Sequence, residues 1–374
     1  MPRVVHRTVP VLATLLLAAG CSTVPLDTAR RQFHSGYLEA ADQSLTVLPA
    51  NQDKVLNLME RGMIRYLRGD YTNSTRDWLE AVRVEKELEI HSASKAAASM
   101  VVNDTMLAFR GYPYERSYIH VFLARSYLAR GLWEDAGVEA IGLAKLLEQA
   151  LADGFPDDAY SRYIAGFCME LRGDGANAAM HYRTAAKLVP GVGLDAGGRF
   201  HPPPAGTTNT TRTITTSGQP PPAELICFID LDGISPPPDY AVILVDGTSL
   251  GQSFTLTDIS HLNEMSAARM ATRHGLKTAS RLLLKGAAAM AVASKDRDLG
   301  GLTWLLLLAM EEPDTRHWET LPSKLAVARV ACPASLRQFD VEFRSGSVTL
   351  KRVTVKAPLQ HNNRLFVSFC RDQP

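Results

Sequence analysis

A glycine-centred pattern recurs four times in the first half of this 374-residue chain, each time at a turn between two predicted helices. The four copies are HSGYLEAA at Gly36, LRGDYTNS at Gly69, ARGLWEDA at Gly131 and LRGDGANA at Gly173. Their spacings are 33, 62 and 42 residues. A two-helix repeat of about 34 residues explains all three spacings. The first spacing is one period, the second is roughly two periods, and the third is one period with an insertion. The first half is therefore predicted to be a stack of helix pairs.

The repeat resembles the tetratricopeptide motif. That motif needs small residues where two helices touch, an aromatic residue on the second helix and a helix stop at the end. The last copy supplies these features with Gly166, Ala178, Tyr182, Ala185 and Pro190. We predict about three such repeats within residues 21–198. A generic helical bundle with glycine turns is the alternative.

Repeat arrays of this kind have a concave face lined by their first helices, which usually binds peptides or proteins. In the present register six side chains would line that face and bind a partner: Met63, Tyr66, Arg125, Tyr160, Tyr163 and Phe167. The alternative for each of them is packing between neighbouring repeats.

The N-terminus has the layout of a secretory signal. Arg3 and Arg7 precede an apolar run over 9–19, which is too short to span a bilayer. The string LLLAAGC resembles a bacterial lipobox, which predicts a signal peptide over 1–20 and lipid, including palmitate, on Cys21. Ser22 stands where an Asp commonly acts as an inner-membrane retention signal. We expect a lipoprotein of the outer membrane that faces the periplasm.

Residues 199–222 contain two Pro triplets and no apolar periodicity, which predicts a linker rich in Pro and Thr. The runs AELICFIDLDG and DYAVILVDG follow it and are typical of paired strands closed by Asp-Gly turns. Residues 264–295 are predicted to be helical.

Four more β-forming runs end the chain and predict a small antiparallel sheet or sandwich: KLAVARVAC, QFDVEFRSG, SVTLKRVTVKA and NRLFVSFC. The predicted fold is mainly α. A tetratricopeptide-like α-solenoid over 21–198 precedes a smaller α+β region over 223–374 with a terminal antiparallel β unit.

Three longer stretches resemble a family of bacterial lipoproteins with tetratricopeptide-like repeats. They are YPYERSYIHVFLARSYLARGLWEDAGVEA, AYSRYIAGFCMELRGDGANAAMHYRTAAKLVP and EEPDTRHWETLPSKLAVARV. Members of that family are often encoded beside lipoproteins similar to curli-secretion pore subunits and to activators of penicillin-binding proteins. The resemblance implies a role in an envelope assembly at the outer membrane.

The third of these stretches contains Asp314, Arg316 and Trp318. Arg and Trp dominate binding hot spots, so these residues could form a recognition edge. In the favoured interpretation they form a structural lock, with the charged pair holding the start of the last strands and Trp318 filling the core.

The sequence contains none of the common catalytic motifs. We find no nucleophile elbow, phosphate-binding loop or zinc motif, and we predict no enzyme, no cofactor and no metal. The chain has 40 basic and 39 acidic residues, so it lacks the net positive charge that would attract nucleic acid. The alternative function is an enzyme or regulator of cell-wall or surface polysaccharide, with Tyr160, Tyr163 and Phe167 stacked on sugar rings.

Four cysteines remain besides the lipid-bearing one. Cys168 is expected to be a buried free thiol between helices. Cys332 and Cys370 both follow strand-like runs and form the first candidate disulfide, because neighbouring strands permit the required Cα separation. No bridge, or one to Cys227, is the alternative.

Overall fold

A computed structural model describes most of the chain, with gaps. The described residues are 24–48, 52–94, 108–201, 223–232, 236–272, 316–362 and 364–372. The predicted signal peptide, Cys21 and Asp314 lie outside them.

The N-terminal half consists of helices joined by tight turns. They are α1 (Val24–His34), α2 (Leu38–Ser44), α3 (Lys54–Leu67), α4 (Tyr71–Ser94), α5 (Pro113–Ala129), α6 (Trp133–Ala152), α7 (Ala159–Leu171) and α8 (Gly175–Leu188). The four glycines of the repeat pattern all have positive φ angles: Gly36 79°, Gly69 77°, Gly131 71° and Gly173 78°. Only glycine adopts this backbone conformation at no steric cost, so the predicted turns are confirmed.

Small residues allow the paired helices to cross closely. A Cβ atom on Gly62 of α3 would lie 2.3 Å from the indole nitrogen of Trp78 on α4. At Gly166 of α7 the same atom would lie 3.1 Å from the Tyr182 ring on α8. The helix pairs therefore pack through the positions that the repeat pattern requires.

Nine strands follow in the described part of the chain. They are β1 (Ala223–Leu231), β2 (Tyr240–Val245), β3 (Thr248–Gln252), β4 (Phe254–Asp258), β5 (Lys324–Cys332), β6 (Gln338–Ser345), β7 (Val348–Lys356), β8 (Leu359–His361) and β9 (Leu365–Arg371). A further helix, α9, covers 259–272, the described part of the helix predicted over 264–295.

The strands form a sandwich of two sheets. One has the order β4-β5-β1-β9-β8 and the other β3-β2-β6-β7. The predicted pairing of the first two strands is wrong, because β1 pairs with β5 and β9 while β2 pairs with β3 and β6. The pair β1–β9 is parallel, so the unit is not purely antiparallel as predicted.

The five-stranded sheet is buried on both faces. On β1, Leu225, Cys227 and Ile229 belong to the core between the two sheets. The alternate residues Ile226 and Phe228 belong to the core formed with the helices. The molecule thus has three layers, helices, five-stranded sheet and four-stranded sheet. The sequence predicts that the chain is mainly α. The helical repeats of the first half agree with this prediction, but the sheet content of the second half is substantial, so it does not hold for the whole chain.

The predicted Cys332–Cys370 disulfide is wrong. Cys168, Cys227, Cys332 and Cys370 are all free and buried. Strand β1 separates the two candidate positions, with Cys332 opposite Ala223 and Cys370 opposite Ile229. Six residues along a strand span about 20 Å. A bridge needs Cα atoms about 4.4 to 6.8 Å apart.

Candidate functional site at the concave face

The concave face of the helical array is lined by the first helices of the pairs, α3, α5 and α7. All six side chains predicted to bind a partner lie in the core, between 0 and 4% exposed: Met63, Tyr66, Arg125, Tyr160, Tyr163 and Phe167. Contacts to the five-stranded sheet cover five of them, directly or, for Tyr66, through Arg125. Met63 is also fully buried.

Aromatic contacts join the two layers at Phe228 of β1. The centroid of its ring lies 6.2 Å from that of Tyr160, 6.4 Å from Tyr163 and 5.5 Å from Phe167. It also stacks on Phe369 of β9 at 5.5 Å. Ring pairs of this kind each contribute about 0.5–1.5 kcal/mol beyond their buried area. The aromatic groove predicted from the sequence is therefore filled by an aromatic residue of the same chain.

A buried ion pair lies beside these rings. The Arg125 guanidinium donates to both Asp230 carboxylate oxygens, at 2.7 and 3.0 Å, and to the Tyr66 hydroxyl at 3.1 Å. Burial alone lowers the pKa of Arg125. The Asp230 carboxylate is the main group that opposes this effect, and the net pKa lies above its ordinary value, so the guanidinium stays charged.

Sequence analysis did not single out Asp230 as a site residue; it lies within the strand-like run AELICFIDL. A signal was present, because Asp230 continues the row of Ile226 and Phe228 on the helix-facing side of β1. An acid at a two-sided buried position requires a cation opposite it.

The residues just before β5 lie against the helices through their backbone. The amide of Trp318 donates to Glu115 at 2.5 Å. The amides of Glu319 and Thr320 donate to Glu60 at 3.0 and 3.2 Å. Two buried carboxylates of α3 and α5 thus satisfy three consecutive amides, which fixes the path of the chain into the sheet.

Further neighbours contact both the Glu60 carboxylate and the Trp318 indole. Glu60 also accepts from Arg30 of α1 at 2.6 Å. The Trp318 side chain is 2% exposed. Its ring centroid lies 6.2 Å from that of Trp78 and 6.1 Å from Phe122. This geometry supports the structural lock rather than a recognition edge.

Arg316 continues the same contact. It forms an ion pair with Asp53 at 2.6 Å and its guanidinium lies 5.7 Å from the centroid of the Phe109 ring. The third residue of the predicted lock, Asp314, is outside the described residues.

Charged side chains also connect the layers at the end of α7. Arg329 of β5 pairs with Glu170 at 2.7 Å and with Glu224 of β1 at 2.8 Å, while Arg199 pairs with Glu224 at 2.6 Å. Burial raises the pKa of Glu224, but the hydrogen bonds from the two arginines outweigh it. The pKa of Glu224 therefore lies below its ordinary value.

The second helices of the pairs, α4, α6 and α8, form the outer layer of the array, and α6 meets the sheet at its first residue, Trp133. These three helices carry seven of the eleven exposed large apolar side chains in the described residues, namely Leu79, Ile90, Val138, Ile141, Leu151, Met180 and Leu188. Exposed apolar side chains on one side of a helical array are candidates for contact with a partner. Among the described residues, none of the strands covers this outer face.

The described residues include no group of three or more His, Cys, Asp or Glu side chains that could hold a metal ion. Burial raises the pKa of Cys332 and of Cys370 to about 12, so both thiols stay protonated at neutral pH. Among the described helices, none has both the length and the apolar character required to cross a membrane.

No protein-family model matches the chain, and no curated protein matches its sequence. Among solved structures, MamA 41-end from Desulfovibrio magneticus RS-1 is 14% identical with a TM-score of 0.21, over 45% of this chain and 94% of that one. The MamA RS-1 ArsTM double mutant is 14% identical with a TM-score of 0.20, over 43% of this chain and 90% of that one. Because both TM-scores are low, these similarities do not assign the fold. The evidence for the repeat architecture is the set of glycine turns and helix crossings described above.

Proposed function

We propose that this protein is a lipid-anchored scaffold of the bacterial envelope that binds a protein or peptide partner through the outer face of its helical array. The observation that carries the proposal is the concentration of exposed apolar side chains on α4, α6 and α8. In this proposal the β-sandwich fills the concave face and stiffens the array, and binding takes place on the opposite side.

The contacts at the concave face support this choice of surface. Opening that face would separate Arg125 from Asp230 and expose the rings around Phe228 to water. An entering partner would have to supply new counter-charges for both groups wherever it excluded water from them. It would also have to compensate for the loss of apolar burial.

Photo-crosslinking in cells tests the outer face. A photoreactive amino acid at Ile141 on α6 should capture a defined partner. The matched control is Val348 on β7, which is also exposed but lies on the sheet. Adducts at Ile141 and none at Val348 would support the proposal. No adduct from any outer-helix position, or the same adducts from both sites, would contradict it.

The anchor is tested separately. Because residues 15–21 resemble a lipobox, changing Cys21→Ser should release the protein from the outer membrane or leave its precursor unprocessed. Membrane fractionation and mass spectrometry of the N-terminal peptide measure this. Unchanged fractionation of the variant together with an unmodified Cys21 in the wild type would contradict lipid anchoring.

The alternative, an enzyme or regulator of polysaccharide, depended on Tyr160, Tyr163 and Phe167 stacking on sugar rings. All three side chains are fully buried against other parts of the chain. Comparing partner capture with polysaccharide binding by the purified protein separates the two functions.

A further inference from the structure

A groove of about 500 Å³ lies on the outer side of the array, between α4 and the C-terminal end of α5. Its lining includes Thr72, Arg76, Leu79, Glu80, Arg83 and Arg130. Positions 72, 76, 79 and 83 follow helical spacing and form one face of α4. Leu79 is 44% exposed at the centre of this face, whereas Trp78 points into the core.

The acidic residue of the groove already has its partners. Glu80 accepts from Lys54 at 2.9 Å and from Arg83 at 2.6 Å. The hydrogen bond from Arg83, aided by Lys54, lowers the pKa of Glu80 to about 2. Arg83 contacts Glu87 as well. The charges of Glu80 and Arg83 are thus balanced within the chain.

Arg76 and Arg130 differ from Arg83 in this respect. Both are exposed, and neither has an ion pair or side-chain hydrogen bond in the part of the chain that the structure describes. The groove therefore combines an exposed apolar side chain with two cations that no carboxylate of the described chain balances. Its charge is complementary to an acidic ligand.

We infer that this groove binds an acidic peptide segment of a partner protein, with an apolar side chain on Leu79 and carboxylates paired to Arg76 and Arg130. Arginine suits this task because its planar guanidinium binds carboxylate in a bidentate manner. The inference rests on the proposed outer-face function and specifies the chemistry of the partner.

Fluorescence anisotropy with the full-length protein in detergent tests the groove. The probe is a labelled peptide of sequence EELDELLDEE, and the control probe is its amide counterpart QQLNQLLNQQ. We expect salt-sensitive binding of the acidic probe and at least tenfold weaker binding of the amide probe. The double variant Arg76→Glu with Arg130→Glu should weaken the acidic probe about tenfold or more, since attraction becomes repulsion at two positions.

Arg183→Glu provides the matched control, because Arg183 is an exposed arginine on another outer helix, α8. It should leave binding unchanged, and Leu79→Ala should weaken it. Equal binding of the two probes, the same loss from Arg183→Glu, or binding to anionic lipid vesicles in place of peptide would overturn the inference. If the double variant keeps the Ile141 crosslink in cells, the partner does not bind through this groove, and the outer-face function still stands. If no outer-helix position of the wild type gives an adduct, the proposed function itself fails.

Discussion

Arg125 and Asp230 meet in the core from two distant parts of the chain, and each would be costly to bury alone. Their bidentate contact satisfies both charges, and the Tyr66 hydroxyl accepts a further hydrogen bond from the guanidinium. A buried pair of this kind adds little net stability over apolar residues but penalises every arrangement that separates its members. At this scale the pair fixes the position of β1 against α5.

Changing Arg125→Met should lower the free energy of unfolding by about 3–5 kcal/mol, because the buried Asp230 carboxylate loses both of its hydrogen bonds from the guanidinium. Adding Asp230→Leu should recover most of that loss. Urea unfolding of both single variants and the double variant measures the coupling. A double variant no more stable than Arg125→Met would show that the pair is not coupled.

Trp318→Ala should cost about 3–5 kcal/mol, since the indole fills the space between Trp78 and Phe122. The control is Trp133→Ala, because Trp133 is only partly buried and packs on His361, with ring centroids 5.0 Å apart. We expect the control to cost less than half as much. Equal losses in urea unfolding would argue against Trp318 as the lock.

At the scale of elements, the sequence was most informative about turns and helix crossings. Glycines at the repeat turns and small residues at the crossings depend on local geometry, which is why period and spacing could predict them. Strand runs were also recognised from composition, but strand neighbours were not. Pairing is decided by long-range packing, so the predicted β1–β2 pairing and the Cys332–Cys370 bridge were wrong.

Gly62→Ala should destabilise the first helix pair by about 1–3 kcal/mol, because its new Cβ would meet the buried Trp78 indole. Gly175→Ala is the control, since nothing lies within 4 Å of a Cβ at that helical position. The control should stay within about 0.5 kcal/mol of wild type. Thermal and urea unfolding measure both. A neutral Gly62→Ala would contradict the close α3–α4 crossing.

The contact of Glu224 with Arg199 and Arg329 should make stability depend on pH. The pKa of Glu224 is lower in the folded protein than in the unfolded chain, where it is about 4.3. Its contribution is therefore present above that value and is lost as pH falls through the folded pKa. Glu224→Gln should be less stable than wild type near pH 7, and the difference should shrink below about pH 4.3. A difference that does not change with pH would contradict this contact.

At the scale of the whole molecule, the helical array and the five-stranded sheet share one core, and the two sheets enclose a second one. The sequence placed the six groove residues on the correct helices, but it could not show that the rest of the chain covers them. One indication was available in AELICFIDL, which lacks the polar alternation of a half-exposed strand. A continuous apolar run is typical of a strand buried on both faces, and β1 is such a strand.

The central claim is that the chain's own sheet closes the concave face, and hydroxyl-radical footprinting of the intact protein tests it most directly. This measurement reports the solvent exposure of individual side chains and requires no substitution. Tyr160, Tyr163 and Phe167 should be oxidised at least about tenfold more slowly than Tyr37, which is 67% exposed. Oxidation of the three groove residues at rates similar to that of Tyr37 would show an open groove and contradict the account.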